Sequence, residues 1–286
     1  MPERAKNSFS PQAKVAFQGE PGAYSEEAIF SYFNSSVETL AFKTFLDVFE
    51  ALKKDEVDFA VVPLENSLEG TVGSVYDLFL KYTLSPYAEI FLRIRHCLIS
   101  FPQQTLRSIK GVYSHYQALG QCRRFLEKKK YKAIPFYDTA ASVRLIKEKK
   151  MTNWAAIASK RAAQIYGMKV LREGIEDNPQ NFTRFLVLSK KEREPTGRDK
   201  TSVIFGLRHV PGSLFRVLKI FARRKINLTK LESRPLLGSP WEYNFILEFE
   251  GHRKEKKMKI VLKELAENTT FLKIIGSFPA GSFDKK

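Results

Sequence analysis

A unit that recurs along the chain up to about residue 190 restricts the possible folds most. It consists of a short apolar segment, a polar turn and then helical spacing of apolar residues. In one such unit, residues 37–42 have strand composition, Thr44 is a suitable helix cap, and apolar residues recur at i, i+3, i+4 and i+7 from Phe45. Residues 59–64, FAVVPL, form the continuous apolar segment typical of parallel strands covered on both faces. Strands that alternate with helices in this way indicate an α/β fold.

The same pattern restarts after residue 110, which indicates a second lobe. Strand segments at residues 111–113, 133–137 and 154–158 each lead into a polar turn and a helix. The carboxyl ends of such strands are where open α/β sheets bind ligands. Two lobes of this kind, facing each other, would enclose a cleft.

Two local predictions concern the first lobe. Ser25, followed by Glu26 and Glu27, predicts a helix that is capped by this serine. Residues 89–100 predict one long strand, in which His96 is a half-buried strand residue rather than a base or a metal ligand.

A charged segment separates these lobes from the rest of the chain. Residues 190–200, KKEREPTGRDK, contain almost no apolar residue but include Pro and Gly, and therefore read as a linker. The residues beyond it predict the order strand–helix–strand–strand–helix–strand, which is the ferredoxin-like βαββαβ arrangement. A four-stranded sheet of this kind leaves faces or edges exposed, and a second copy commonly covers them, so we expect a homodimer or homotetramer.

Composition excludes several classes of protein. With 43% hydrophobic and 28% charged residues, the 286-residue chain is globular rather than disordered. The net charge of +17 is spread along the whole chain without a nucleic-acid-binding motif, which favours a solvated basic surface over a nucleic-acid partner. No apolar run approaches the roughly 20 residues that span a bilayer, and the two cysteines lie in separate segments. We therefore expect a cytoplasmic protein with reduced thiols and no membrane partner.

Polar side chains follow several of the predicted strands. They are Glu65, Asn66, Ser67, Ser114, Gln121, Asp138, Thr139, Thr183 and Arg184. Most are neutral hydrogen-bonding groups, and Arg184 is the one fixed cation among them. Such a set suits holding a small carboxylate-bearing substrate and polarising a leaving group, and it suits hydrolysis or redox chemistry poorly. No nucleophile elbow, nucleotide-binding loop or metal-ligand cluster accompanies these residues in the sequence.

Several motifs along the chain are similar to those of prephenate dehydratases. They are FQGEPGAYS at residues 17–25, PLENS at 63–67, SHYQALGQC at 114–122 and NFTRF at 181–185. The last domain resembles the regulatory ACT domain of that family, with ESRP at residues 232–235 and GSLF at 212–215 in place of the usual GALV. The resemblance covers residues 14–279 and extends to arogenate dehydratases, which act on the transaminated substrate. Tyr116 stands where the family usually has proline.

The resemblance implies a two-lobed α/β catalytic domain of the periplasmic-binding-protein-like type II class, followed by the ferredoxin-like ACT domain. The expected boundaries are 1–13 for an N-terminal tail, 14–190 for the catalytic domain, 191–200 for the linker and 201–286 for the ACT domain. Within the catalytic domain, the first lobe would comprise about 14–95 with 182–190, and the second about 96–181.

The resemblance also implies the chemistry, a decarboxylative dehydration of prephenate to phenylpyruvate in L-phenylalanine biosynthesis. Aromatisation drives this reaction, so it implies neither a cofactor nor a metal. Thr183 would donate to the departing hydroxyl group, together with the other catalytic residues Asn66, Gln121 and Ser114. Glu65, Ser67, Thr139, Arg184 and Phe185 would bind or support the substrate. L-Phenylalanine would act as an effector at Gly212, Ser213, Leu214, Glu232, Ser233, Arg234 and Pro235.

Several alternatives stay open at this level. Arogenate dehydratase is one, because prephenate and arogenate differ only by a keto or an amino group. A non-catalytic amino-acid-sensing protein and, from the charge, a nucleic-acid-binding protein are others. The sequence does not decide whether Arg184 contacts substrate or braces its loop. The bulk of Phe215 is a further question, since it could narrow a phenylalanine pocket.

Overall fold

The computed structural model describes residues 12–33, 37–236 and 242–282. Most of the expected N-terminal tail and the last four residues lie outside these ranges. The chain divides into two compact units. The first comprises Met1–Val75 and Ile90–Phe185, and the second comprises Tyr76–Glu89 and Leu186–Lys286. No helix among the described residues is long and apolar enough to cross a membrane.

The first lobe is built on a mostly consecutive set of strands and helices. They are β1 (Lys14–Gln18), α1 (Tyr24–Phe33), β2 (Glu38–Phe42), α2 (Phe45–Lys53), β3 (Phe59–Asn66), β4 (Gly70–Thr71), α3 (Gly73–Lys81), β5 (Ser85–Arg93) and, from later in the chain, β11 (Phe182–Ser189). The sheet has the order β2-β1-β3-β11-β5, and β4 pairs with β3. Strand β1 is parallel to both β2 and β3, as the apolar pattern predicts.

The predicted cap of α2 is confirmed, whereas that of α1 is wrong. Thr44 accepts a hydrogen bond from the Asp47 backbone, and the Asp47 side chain accepts one from the Thr44 backbone, which forms a capping box. Helix α1 begins one residue before Ser25, so this serine lies inside the first turn. The carboxylate of Glu26, within the same turn, accepts a hydrogen bond at 2.8 Å from the N–H of Gly22, which lies before the helix.

The second lobe contains β6 (Cys97–Ser100), β7 (Gly111–Ser114), α4 (Tyr116–Gln121), α5 (Arg123–Lys129), β8 (Lys132–Pro135), α6 (Thr139–Glu148), β9 (Trp154–Ala158), α7 (Lys160–Tyr166) and β10 (Lys169–Glu173). The strand order is β10-β6-β9-β7-β8. Strand β7 is parallel to β8 and β9, whereas β6 is antiparallel to β9 and β10. Strand β10 has no counterpart among the predicted elements.

The prediction of one strand over residues 89–100 is wrong. Strand β5 ends at Arg93, and β6 belongs to the sheet of the second lobe. Between them the Ile94 N–H donates to the carbonyl oxygen of Asn181 at 2.8 Å, and the His96 N–H donates to Glu176 Oε2 at 3.0 Å. Because β5 and β6 belong to different sheets, the chain passes from one lobe to the other between them. His96 is consequently buried rather than half-buried.

The second unit confirms the predicted βαββαβ order. Its elements are β12 (Asp199–Gly206), α8 (Ser213–Arg223), β13 (Leu228–Pro235), β14 (Tyr243–Glu250), α9 (Lys256–Glu267) and β15 (Phe271–Pro279). The sheet has the order β13-β14-β12-β15 with antiparallel neighbours. Val203 and Phe205 on β12 pack with Val217, Phe221 and apolar residues of α9 in one core.

The opposite face of this sheet is also covered. On β12, Ser202 and Ile204 alternate with the core residues and are buried too. Residues 76–89, which come from α3 and β5, belong to the same unit. A Cβ atom on Gly276 of β15 would lie 2.6 Å from Pro86 Cδ, which shows how closely this segment packs.

Candidate active site

A cavity of about 440 Å³ lies within the first unit, and both lobes contribute to its wall. Its polar lining residues are Gln18, Tyr24, Ser25, Asn66, Glu69, Thr71, His96, His115, Gln117, Gln121, Tyr137, Asp138, Thr139 and Thr183. The described wall of the cavity is therefore rich in polar side chains but carries neither a lysine nor an arginine.

Asn66 and Thr183 form the centre of the first-lobe wall. Asn66 lies at the carboxyl end of β3 and Thr183 near the start of β11. The two hydrogens of Asn66 Nδ2 are shared among three acceptors, which are Thr183 Oγ1 at 3.0 Å, Asn181 Oδ1 at 2.8 Å and the Phe182 carbonyl oxygen at 3.2 Å. The adjacent strands thus place both predicted side chains in direct contact.

The hydroxyl of Thr183 is arranged to donate into the cavity. Its oxygen accepts from Asn66 Nδ2, and an amide nitrogen cannot accept a hydrogen bond in return. Within the part of the chain that the structure describes, no acceptor engages the hydroxyl hydrogen. Thr183 can therefore donate to a leaving group in the cavity.

Gln121 is held by three side chains where α4 ends. Its Oε1 accepts from Asn181 Nδ2 at 2.8 Å and lies 2.8 Å from His96 Nε2, and its Nε2 donates to Glu69 Oε1 at 3.2 Å. His96 Nδ1 in turn lies 2.7 Å from the Tyr24 hydroxyl. Burial lowers the pKa of His96, so this imidazole is neutral.

Strand alternation separates Thr183 and Phe185 from Arg184. Thr183 and Phe185 line the cavity, and Arg184, between them, extends to the other face of β11. There Arg184 Nη2 lies 3.7 Å from Glu65 Oε2. Neither Arg184 nor Glu65 is among the lining residues.

The two predicted serines bind the backbone instead of lining the cavity. Ser114 is fully buried and donates to the carbonyl oxygen of Ile157 at 2.6 Å. Ser67 Oγ donates to the Gln180 carbonyl oxygen at 2.8 Å and accepts from the Phe182 N–H at 3.0 Å. Ser67 therefore anchors the start of β11, and Ser114 ties β7 to β9.

Helix N-termini supply positive potential at the wall. Tyr24 and Ser25 open α1, Val72 immediately precedes α3, and Thr139 opens α6. The first N–H groups of a helix lack partners inside it and carry the positive end of the helix dipole, so they attract anions. Asp138 caps α6 by accepting from the Ala141 N–H at 2.8 Å, and burial raises the pKa of this carboxyl group.

Sequence reasoning did not assign roles to Asn181, His96, Tyr24 or Glu69. Asn181 and Tyr24 lie inside two of the quoted motifs, NFTRF and FQGEPGAYS, which could have brought them forward. His96 was misread because it was placed in a strand. No local pattern marks Glu69, whose contact with Gln121 joins two lobes.

A second cavity, of about 690 Å³, lies in the second unit. Ser213 and Leu214 line it, and Gly212 is the N-cap of α8 with a φ of 80°. Glu232, Ser233, Arg234 and Pro235 lie on β13 and are not among its described lining residues. Phe215 does not line it either, and its side chain is exposed.

Arg234 and Pro235 nevertheless lie one strand away from this second cavity. In the antiparallel register, Arg234 pairs with Asn244 and Pro235 with Tyr243, and both of these partners line the cavity. The Arg234 side chain itself binds Asp77 Oδ1, at 3.1 Å from its Nη1.

Curated proteins similar to this chain span most of its length. It is 38% identical over 274 residues to the bifunctional chorismate mutase/prephenate dehydratase of Aquifex aeolicus, covering 95% of this chain and 75% of the relative. It is likewise 38% identical over 279 residues to arogenate dehydratase/prephenate dehydratase 2, chloroplastic, of Arabidopsis thaliana, covering 94% of this chain and 73% of that relative.

Solved structures give the same picture of the fold. The prephenate dehydratase of Arthrobacter aurescens in complex with L-Phe superposes with a TM-score of 0.85 at 30% identity, covering 93% of this chain and 90% of that one. GqqA, described as a novel type of quorum quenching acylase, superposes with a TM-score of 0.87 at 31% identity, covering 94% and 99% of the two chains.

Family models divide the chain as its motifs do. The model described as prephenate dehydratase matches residues 15–193, and the model described as ACT domain matches residues 201–267. Together with relatives of this similarity and coverage, these matches make the chain a carbon–oxygen lyase that belongs to the prephenate dehydratase family, with an ACT domain after its catalytic domain.

Proposed function

We propose that this chain converts prephenate to phenylpyruvate by decarboxylative dehydration and that L-phenylalanine regulates it through the ACT domain. The observation that carries the proposal is the Thr183 hydroxyl, which accepts a hydrogen bond from Asn66 and keeps its own hydrogen for the cavity. A departing hydroxyl group needs a donor of this kind, placed before the reaction begins.

Besides this donor, the protein needs only to position the substrate for the reaction. The ring carbon–carboxylate bond breaks, its electron pair completes the aromatic ring, and the carbon–oxygen bond to the hydroxyl group breaks with it. Carbon dioxide leaves, and the hydroxide takes up a proton to leave as water. Because aromatisation drives these steps, a neutral donor such as Thr183 suffices, while Gln121 and Thr139 position the substrate.

Charge favours prephenate as the substrate. Prephenate carries two carboxylates and no cationic group, and the N-termini of α1, α3 and α6 direct positive potential at the cavity. The overall charge of +17 would also steer a dianion toward the protein.

One observation favours arogenate instead. Glu69 and Asp138 place carboxyl groups on the cavity wall, where either would attract the ammonium group of arogenate. The Aquifex relative, named for prephenate dehydratase, and the Arabidopsis relative, named for arogenate and prephenate dehydratase, share the same 38% identity with this chain.

A two-substrate assay on the purified chain tests the proposal. We expect kcat/KM for prephenate to exceed that for arogenate by at least about tenfold, a ratio that one polar contact provides. A ratio below one would assign arogenate as the substrate. If neither compound is turned over, the proposed lyase activity is wrong. Binding of random duplex DNA is measured separately, to test whether the basic surface binds nucleic acid.

The regulatory proposal is supported by Ser213 and Leu214, which line the second cavity, and by the L-Phe complex of the Arthrobacter relative.

Homodimer or homotetramer formation is supported by β13, an edge strand with alternately exposed residues. Light scattering that gives a monomer mass would contradict it. The two buried, free cysteines suit the cytoplasm that we propose as its compartment.

A further inference from the structure

Backbone N–H groups on one side and a backbone carbonyl on the other fix the orientation of the Asn66 amide, which donates to Thr183. Asn66 Oδ1 accepts from the N–H groups of Leu68 at 2.9 Å and Glu69 at 3.1 Å, which can only donate. Its Nδ2 lies 3.2 Å from the carbonyl oxygen of Phe182, which can only accept. The orientation of this amide is therefore fixed without reference to any other side chain.

This orientation determines those of the next two amides. Asn66 presents hydrogens to Asn181, so Asn181 must present Oδ1 to it and direct Nδ2 toward Gln121. Gln121 must then present Oε1 to Asn181 and direct its own NH2 group to Glu69. Reversing either amide would place two N–H groups against each other.

The orientation of Gln121 in turn determines where His96 and Tyr24 carry their hydrogens. The oxygen of Gln121 lies 2.8 Å from His96 Nε2, so this nitrogen must carry a hydrogen. Since the buried ring is neutral, Nδ1 is bare and must accept from the Tyr24 hydroxyl at 2.7 Å. The Tyr24 oxygen also lies 3.1 Å from the Arg95 carbonyl, but its single hydrogen is required at the shorter contact.

We propose that His96 is a positioning residue for the reaction, held as the neutral Nε2–H tautomer, and that its hydrogen bond holds the Gln121 amide at the cavity in the orientation that Asn66 and Asn181 impose. This inference rests on the proposed function for its kinetic part. The tautomer itself follows from the hydrogen bonds together with the neutrality of the buried ring.

A role as general acid or base fits His96 less well. Both ring nitrogens have hydrogen-bond partners in the protein, Tyr24 and Gln121. The ring is 2% exposed and its edge-to-face contact with Tyr24 further restricts it. Its contribution is therefore to hold Gln121 rather than to exchange a proton with the substrate.

Nitrogen NMR of 15N-histidine-labelled protein tests the tautomer directly. The chain has four histidines, and the variant His96→Gln identifies the His96 signals by their loss. We expect the pattern of a protonated Nε2 and a bare Nδ1. An Nδ1–H tautomer in the wild-type protein would overturn the inference.

Asn181→Asp provides a second, non-local test. A carboxylate at this position can only accept, so Gln121 must turn its NH2 group toward it and toward His96. His96 must then switch to the Nδ1–H tautomer, although residues 181 and 96 share no hydrogen bond. The buried His252, which bonds Arg193 and Lys254 in the second unit, should keep its tautomer. An unchanged His96 signal in this variant would contradict the proposed coupling of residue 181 to His96 through the Gln121 amide.

Kinetics test the positioning role. His96→Leu removes the donor and should lower kcat by about 10- to 100-fold, with KM within about threefold of wild type. His96→Gln keeps an N–H for Gln121 and should recover kcat to within about fivefold of wild type. His252→Leu, the loss of another buried histidine, should leave kcat unchanged. Equal loss in His96→Gln and His96→Leu, or normal kcat in His96→Leu, would refute the role.

The two proposals fail in different ways. A wild-type protein that turns over neither substrate refutes the proposed function but leaves the tautomer pattern to be confirmed. A normal enzyme whose His96 carries its hydrogen on Nδ1 refutes only the positioning role. If His96→Leu does not fold, the Asn181→Asp spectrum still decides.

Discussion

At the residue scale, Thr183 differs from Asn66 and Gln121 of the same cavity, because no acceptor among the described residues binds its hydroxyl hydrogen. The oxygen and the NH2 group of Asn66 both form hydrogen bonds within the protein. Those of Gln121 do so as well, with Asn181 and Glu69. Thr183 accepts one bond and offers one hydrogen. Removing this hydroxyl should therefore affect catalysis far more than folding.

Thr183→Val keeps the branched shape of the buried side chain and removes only the hydroxyl group. We expect kcat to fall by at least about 10²-fold, the scale for a positioned donor. Unfolding free energy should fall by about 1 kcal/mol, because one hydrogen bond from Asn66 is lost. Steady-state kinetics and urea titration measure the two effects.

Thr183→Ser is the matched control, because it retains a hydroxyl group at the same position. We expect it to keep kcat within about tenfold of the wild-type value. If Thr183→Val turns over normally, the hydroxyl is not the donor. If Thr183→Ser is as inactive as Thr183→Val, packing of the methyl group rather than donation explains the loss.

Motifs located Thr183, Asn66 and Gln121 at the cavity, but they did not reveal how the side chains bond. The direction of a hydrogen bond depends on which atoms face each other across lobes, and Asn66 and Asn181 are far apart in sequence. Arg184 shows the opposite case. Strand alternation, read from the sequence, already implies that it cannot share a face with Thr183.

At the element scale, the turn before α1 holds the two lobes together. The Gly22 carbonyl oxygen accepts from Ser159 Oγ at 2.6 Å, and Arg161 Nε lies 2.8 Å from Glu26 Oε2. Gly22 has a φ of +92°, and a Cβ atom there would lie 2.7 Å from the Ala162 Cα. Because the obstacle is backbone, it cannot rotate away as a side chain would.

Gly22→Ala should therefore separate α1 from α7. We expect a loss of unfolding free energy at least about 1 kcal/mol larger than in Gly167→Ala, owing to overpacking. Gly167 is the matched control, since it also has positive φ, +61°, but nothing lies within 4 Å of its Cβ position. Urea unfolding of both variants gives the comparison.

The activity of the Gly22→Ala variant should also fall, by about tenfold or more in kcat/KM, because the lobes carry different parts of the site. Gly167→Ala should retain near-normal kcat/KM. Equal stability and activity in the two variants would show that the turn does not set the spacing of the lobes.

Elements with local signals were predictable, and elements defined by long-range contacts were not. Strand β9 has the predicted ends, because apolar residues 154–158 stand between polar turns. The separation of β5 from β6 was missed, since it depends on the Ile94 bond to Asn181, far along the chain. An apolar run shows that a segment is buried but not in which sheet.

At the scale of the whole molecule, α3 links sequence that lines the catalytic cavity to the regulatory unit. Thr71 and Val72, just before the helix, line the cavity. From Tyr76 onward the helix belongs to the second unit, where Asp77 pairs with Arg234. The sequence of α3 carries no information about which surface its faces contact.

From this pairing we predict for Arg234 a role different from the ligand contact that its motif implies. The described wall of the second cavity does not include Arg234, which instead binds Asp77 on the helix that begins at Gly73. Effector binding that shifts β13 would reach α3 through this ion pair. Arg234 should therefore transmit inhibition rather than bind phenylalanine.

Arg234→Ala should separate binding from inhibition. We expect the phenylalanine concentration for half-inhibition to rise by at least about fivefold, the lower end of ordinary coupling. Calorimetry should give a phenylalanine Kd within about twofold of wild type. Arg223→Ala breaks the ion pair with Glu264, at 2.7 Å in the same unit, and is the matched control with normal inhibition. A Kd that rises in parallel with the half-inhibition concentration would instead place Arg234 at the ligand. Asp77→Asn separates these outcomes further, because it removes the carboxylate of the pair while keeping the Arg234 side chain.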